Sequence, residues 1–131
     1  MTEPALRVLC VEDEVGLRED LIAEMGDCGH LVTAAADGLV GLAIALSEPF
    51  DLILCDMRMP KLDGLAVLSE LRRQGGTNSE TPFVLMTAYD DASLVDEAQR
   101  LGATDFILKP VCYTALDELV RTFGTCWPTV V

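Results

Sequence analysis

The sequence predicts an α/β fold, a doubly wound parallel sheet with helices on both faces, and two patterns carry that prediction. Five short apolar runs alternate with five longer stretches of helical period. Each run is bounded by charged or turn residues and is too short for a helix. Strict strand–helix alternation joins parallel strands through right-handed crossovers. Near-continuous apolar strands suit a sheet buried on both sides.

Taken in order, the first strand is Leu6–Val11, and its helix carries Leu17, Leu21, Met25 and Cys28 at intervals of three or four, closing at Gly29. The second strand is Leu31–Ala35. Asp37 is placed to cap the following helix, whose apolar face is read as Leu39, Leu42, Ala43 and Leu46, and Pro49 stops it. Leu52–Cys55 is the third strand, followed by a helix on Leu65, Leu68 and Leu71 that ends at Gly75. Phe83–Met86 is the fourth, with Asp90 or Asp91 capping a helix on Leu94, Ala98 and Leu101 before Gly102. Phe106–Leu108 is the fifth, and Leu116, Leu119, Val120 and Phe123 form the last helical face. The expected domain spans residues 1–124, with 125–131 a short apolar tail that includes Cys126 and Trp127.

Length and charge bound the function. A chain of 131 residues is one domain, and half its residues are hydrophobic, enough for a real core. Nine basic residues against 22 acidic ones, a net charge of −13, exclude a sequence-independent grip on nucleic acid and argue against an anionic membrane surface. An acidic domain suits cations and basic partner patches. Five cysteines without a CxxC pair suggest neither a disulfide framework nor a zinc knuckle, and Cys10 and Cys55, inside apolar runs, read as small core residues. The first residues lack a cationic region followed by an apolar stretch, so no signal peptide is expected. The longest apolar stretch, Leu39–Leu46, is far short of the roughly 20 residues that cross a bilayer. A cytoplasmic protein with reduced thiols is the expectation.

The chemistry should lie where the strands end. The first run ends in Glu12-Asp13, the third in Asp56, the fourth in Thr87-Ala88 and the fifth in Lys109-Pro110. In a parallel sheet all carboxyl ends share one edge, where open α/β folds place their ligands. Three carboxylates, a small hydroxyl and an ammonium would meet there. Singly, each has an ordinary reading: a helix cap, a turn residue or a solvated charge. Placement at the ends of four separate strands is what points to a site. Close carboxylates raise one another's pKa, and two arrangements relieve this, protonation of one or a bound hard cation. Mg²⁺ suits one or two carboxylates with waters and a phosphate oxygen. Lys109 could pair with a carboxylate or with phosphoryl oxygens, and the set matches phosphoryl transfer to a carboxylate.

These segments resemble the receiver domain of bacterial two-component response regulators. The resembling stretches are Val8 to Glu14, Asp51 to Gly64, Val84 to Ala88 and Gly102 to Pro110, and the likeness covers about residues 6 to 123. The resemblance implies strand order 2-1-3-4-5, the flavodoxin-like receiver fold, an order that flavodoxin and a chemotaxis receiver share. It implies Asp56 as phosphoacceptor from a phosphohistidine on a sensor histidine kinase or phosphotransfer protein. Glu12, Asp13, Asp56 and the backbone carbonyl of Arg58 would surround Mg²⁺. Thr87 and Lys109 would bind phosphoryl oxygens, assisted by backbone N–H groups near Arg58 and Ala88. Pro60 and Gly64 would shape the loop after Asp56, and the Lys109–Pro110 bond would be cis.

Activation, on the same resemblance, is a population shift. Thr87 moves toward the phosphoryl group, the ring of Phe106 turns inward, and the face made by helix 4, strand 5 and helix 5 is remodelled for an output domain, an effector or a second copy. Phe106 stands where the family commonly has Tyr, so its coupling is steric. Arg58 and Tyr89 would flank the path of attacking water, and their bulk predicts slow self-dephosphorylation rather than conventional enzymatic turnover. His30 reads as a surface or packing residue, and Asp63 as a loop-shaping one.

Rival classes fit less well. A haloacid-type aspartyl phosphatase wants a second acid where Arg58 stands. An FMN binder would find a phosphate repelled by Glu12-Asp13-Glu14, and neither GxxxxGK[ST] nor GxGxxG occurs. The alternative that stays open is a phosphorylation-independent docking module of the same fold.

Overall fold

The structure, a computed structural model, describes residues 5–126, with side chains as far as residue 123. Five strands and five helices alternate: β1 Arg7–Val11, α1 Val15–Asp27, β2 Leu31–Ala35, α2 Gly38–Ser47, β3 Leu52–Asp56, α3 Gly64–Gln74, β4 Phe83–Thr87, α4 Ala92–Arg100, β5 Asp105–Leu108 and α5 Tyr113–Cys126. The last helix runs two residues past the expected domain boundary, and the remainder of the expected tail, 127–131, lies outside the described residues.

All strand pairs are parallel, in the order β2-β1-β3-β4-β5. Chain order reverses at β1, so the strands on either side of it leave a crevice above their carboxyl ends. The period-2 alternation of a strand sorts the core into two layers. Leu9, Val11, Ile53, Cys55, Phe83 and Leu85 face one way, with Val67, Leu68, Leu71 and Ala98 of α3 and α4. Val8, Cys10, Leu52, Leu54, Val84 and Met86 face the other, against Leu21 and Met25 of α1 and Leu116, Val120 and Phe123 of α5. Strands β3 and β4 are buried along their whole length, as their unbroken apolar runs predict. Burial pushes the Cys10 thiol up to about 12 and holds the Cys55 thiol well above its ordinary value, so both are inert core residues.

Helix α2 departs from the expected face. Leu39 and Ala43, assigned inward, are exposed, whereas Gly38, Gly41 and Ala45 are buried. Its composition is almost uniformly apolar, so periodicity alone leaves the face undetermined. The close approach of β1 decides it: a Cβ on Gly41 would lie 2.7 Å from a Val11 methyl, so only glycine fits there. Cys28, read as the end of the α1 face, is likewise exposed and sits just past the helix.

Side-chain caps follow the sequence in part. Asp37 accepts from the Val40 amide at 2.9 Å, as expected, and Asp63 does the same for α3 through the Ala66 amide. Asp91 occupies the α4 N-cap position, but its carboxylate makes no cap hydrogen bond. Gly29, Gly75 and Gly102 adopt positive φ after their helices, the left-handed turn that glycine accommodates without strain. His30 is a packing residue whose Nδ1 accepts from the Leu6 amide at 3.1 Å.

A buried polar knot supports the opposite edge of the sheet. Asn78, 1% exposed, donates to the carbonyls of Ala45 and Glu48, and its Oδ1 accepts from the Phe50 amide and the Thr81 hydroxyl. Arg72 donates to the carbonyls of Ser79, Thr81 and Gly102. These bonds pin the α3–β4 connection, which has no regular structure of its own to satisfy its backbone.

Candidate functional site

The carboxyl edge of the sheet gathers the expected side chains. Glu12 and Asp13 follow β1, Asp56 ends β3 opposite Met86, and Thr87 ends β4 opposite Leu108, with Lys109 next in the chain. The strand ladders continue just beyond the strands: the Met57 amide donates to the Met86 carbonyl and the Lys109 amide to the Thr87 carbonyl. The Lys109–Pro110 peptide bond is cis. Glu12, Asp56 and Thr87 are at most 5% exposed, whereas Asp13 faces solvent.

Lys109 joins the acids. Its Nζ lies 3.0 Å from Asp56 Oδ2 and 3.1 Å from Glu12 Oε1. Glu12, Asp13 and Asp56 each bring a carboxylate oxygen within 4.8 Å of the others. The Glu12 head group is aimed by its neighbours: Oε2 accepts from the Glu14 amide at 3.0 Å, and Arg18 of α1 clamps the Glu12 carbonyl at 2.9 Å. Glu12 Oε1 is buried, and its one close partner among the described residues is the Lys109 ammonium at ion-pair distance.

Electrostatics follow from that arrangement. Burial pushes Glu12 up to about 7, with Asp56 adding to the rise and the Glu14 amide and Lys109 opposing it. Burial also raises Asp56, against the pull of Lys109 and of the Arg58 backbone amide. For Lys109 burial acts to lower the pKa, but Asp56 and Glu12 together outweigh it and hold the ammonium above its ordinary value. One positive charge therefore serves two half-satisfied carboxylates, with a third at the rim. Three clustered carboxylates with one ammonium between two of them, an all-oxygen donor set, fit a hard divalent cation such as Mg²⁺.

The chain spanning residues 8–121 matches the family model described as the response regulator receiver domain. It belongs to the response regulator receiver domains. This receiver domain is 42% identical over 114 residues to the transcriptional activator protein PfeR of Pseudomonas aeruginosa, covering 87% of this chain and 36% of that protein. It is 34% identical to the transcriptional regulatory protein ZraR of Escherichia coli, covering 92% of this chain and 27% of the relative. The chain thus spans less than half the length of these curated relatives. Among solved structures, the Francisella response regulator 1452 receiver domain superposes with a TM-score of 0.83 at 28% identity, covering 92% of this chain and 97% of that one. The Vibrio cholerae chemotaxis protein CheY4 gives 0.84 at 28% identity, with 92% and 99% covered.

Three expected side chains lie apart from the acidic knot. Phe106 sits within β5, paired with Leu85, half-buried against the core. It borders an open apolar groove of about 340 Å³ lined by Leu108, Cys112, Ala115 and Leu119. The Arg58 side chain turns toward Asp91 rather than into the site, and Tyr89 is 91% exposed. Arg18, which orients the Glu12 backbone, carries no signal in sequence, and Asp91 reads there only as a helix cap. No described helix is long and apolar enough to cross a membrane.

Proposed function

We propose that this receiver domain accepts a phosphoryl group on Asp56 from the phosphohistidine of a sensor histidine kinase or phosphotransfer protein, in a Mg²⁺-dependent reaction. The observation that carries the reading is Asp56 Oδ2 held 3.0 Å from Lys109 Nζ inside a three-carboxylate cluster. A carboxylate oxygen of Asp56 attacks phosphorus as the P–N bond breaks, and the imidazole leaves with the electron pair. The protein's contribution is positioning and charge neutralisation. Lys109 releases Asp56 to meet the incoming phosphoryl oxygens, and the Thr87 hydroxyl donates to one of them. Glu12, Asp13, Asp56 and the Arg58 carbonyl would hold Mg²⁺, which would supply positive charge to offset the carboxylates and the charge of the transferring phosphoryl group.

The phosphorylated domain then signals through α4, β5 and α5, with Thr87 and Phe106 as the switch. The apolar groove beside Phe106 supports that surface as the place where an output domain, an effector or a second copy of the chain docks. The domain is read as 1–124 with a short tail, as cytoplasmic, and as a phosphoryl carrier that loses its group slowly rather than a turnover enzyme.

Incubation with acetyl phosphate and Mg²⁺, followed by intact mass, tests the reading. One added phosphoryl group is expected on the wild type, none at this site in Asp56→Asn, and none in the presence of chelator. A wild-type mass that never changes, with a kinase donor also failing, replaces this reading with a docking module of receiver fold.

A further inference from the structure

Asp91 is a buried carboxylate that does not do what its position suggests. It stands at the N-cap of α4, yet its side chain leaves the helix amides alone and turns back. One oxygen accepts from the Ala88 amide at 2.6 Å, and the other meets Arg58 Nε. The Asp91 amide also donates to the Ala88 carbonyl at 3.1 Å, so the loop Ala88–Asp91 is closed on itself by a reciprocal pair. Asp91 is 1% exposed, while the Arg58 side chain is 59% exposed and free to swing once released. A single anion thus ties the loop after β4 to the loop after β3, at the two strand ends that supply Thr87 and Asp56.

We propose that Asp91 is a resting-state latch, a positioning residue whose carboxylate occupies the Ala88 amide and the Arg58 guanidinium until a phosphoryl group on Asp56 displaces it. The inference rests on the phosphoacceptor reading of Asp56. Ala88 follows Thr87 directly, and on the phosphoacceptor reading its amide is one of the donors that a phosphoryl group on Asp56 would engage. A backbone N–H serves one strong acceptor at a time. A phosphoryl group also brings nearly two negative charges, which repel the Asp91 carboxylate and compete for Arg58. Opening the latch frees the β4–α4 loop, and with it the start of α4, to move with Thr87. Asp91 therefore sets how much of the unmodified protein is already in the receptive conformation.

The test uses acetyl phosphate as sole donor at limiting concentration with Mg²⁺. Asp56 Oδ bonds to phosphorus as the P–O bond to acetate breaks, acetate leaving with the electron pair. Asp91→Asn and Asp91→Ala are expected to take up phosphoryl faster than the wild type, by about tenfold. That corresponds to about 1.4 kcal/mol, the size of one hydrogen bond to a charged group. Faster uptake is a result that a merely structural role would not give, and amide resonances supply a second readout. The Ala88 amide proton, downfield on its short bond to a carboxylate, should shift upfield in Asp91→Asn, and in the wild type it should move on phosphorylation. If Asp91→Ala does not fold, Asp91→Asn and the wild-type resonance decide the matter. Uptake at equal or lower rate in a folded Asp91→Asn, or a wild-type Ala88 resonance that stays put on phosphorylation, overturns the latch and leaves Asp56 as acceptor. A wild-type chain that takes up no phosphoryl group at all removes the acceptor reading, and the latch with it.

Discussion

Replacing Glu12 by Gln should stabilise the metal-free protein, and only at the upper end of the working pH range. Glu12 is fully buried, it shares a single ammonium with Asp56, and its carboxyl is held at about 7 instead of the ordinary 4.5. The folded state therefore binds this proton more tightly than the unfolded chain does. That contribution to stability is complete below pH 4.5 and is lost as pH rises through about 7. At about 1.4 kcal/mol per pH unit, the ionised side chain costs the fold about 3 kcal/mol at pH 8. Gln removes the charge and keeps an acceptor for the Glu14 amide, but it turns an NH₂ group toward Lys109, which returns roughly 1 kcal/mol of that gain. The net expectation is about 2 kcal/mol, or about 7 °C in Tm for a chain of this size. Thermal and urea melts in chelator at pH 5 and pH 8 measure it: the variant should match the wild type at pH 5 and exceed it at pH 8. Added Mg²⁺ should raise the wild-type Tm more at pH 8 than at pH 5, because the cation binds the deprotonated cluster. A variant that is less stable at pH 8, or equally displaced at both pH values, would show that Glu12 is not held against its charge.

Other consequences lie outside the acidic knot. Asn78→Ala strands the carbonyls of Ala45 and Glu48 and the Phe50 amide, so a loss of about 3 kcal/mol in urea melts is expected; a loss under about 1 kcal/mol would mean water reaches those groups. Gly64→Ala places a Cβ 2.4 Å from the Asp56 carbonyl oxygen and 2.6 Å from Leu85 Cδ2. Since backbone must yield, stability should fall by about 2 kcal/mol, and phosphoryl uptake should fall with it because the acceptor's own strand end is displaced. Uptake at the wild-type rate in a destabilised Gly64→Ala would separate loop shape from the site.

Much of this protein was legible in one dimension because the physics involved is local. Runs such as Leu52–Cys55 and Phe83–Met86 are too short for helices and too apolar for an exposed face, so a sheet covered on both sides is forced. Parallel strands then bring Glu12, Asp13, Asp56, Thr87 and Lys109 to one edge, whatever their separation in sequence. Tertiary packing decided what local pattern leaves open. The buried face of α2 was settled by the closeness of Val11 to Gly41, which a uniformly apolar helix cannot announce. The one ammonium shared by Glu12 and Asp56, and the turn of Asp91 away from its own helix toward Ala88 and Arg58, depend on distances between segments far apart in the chain. A sequence states which groups are available. Which of them a buried charge meets is fixed only when the fold removes the water that would otherwise have satisfied it.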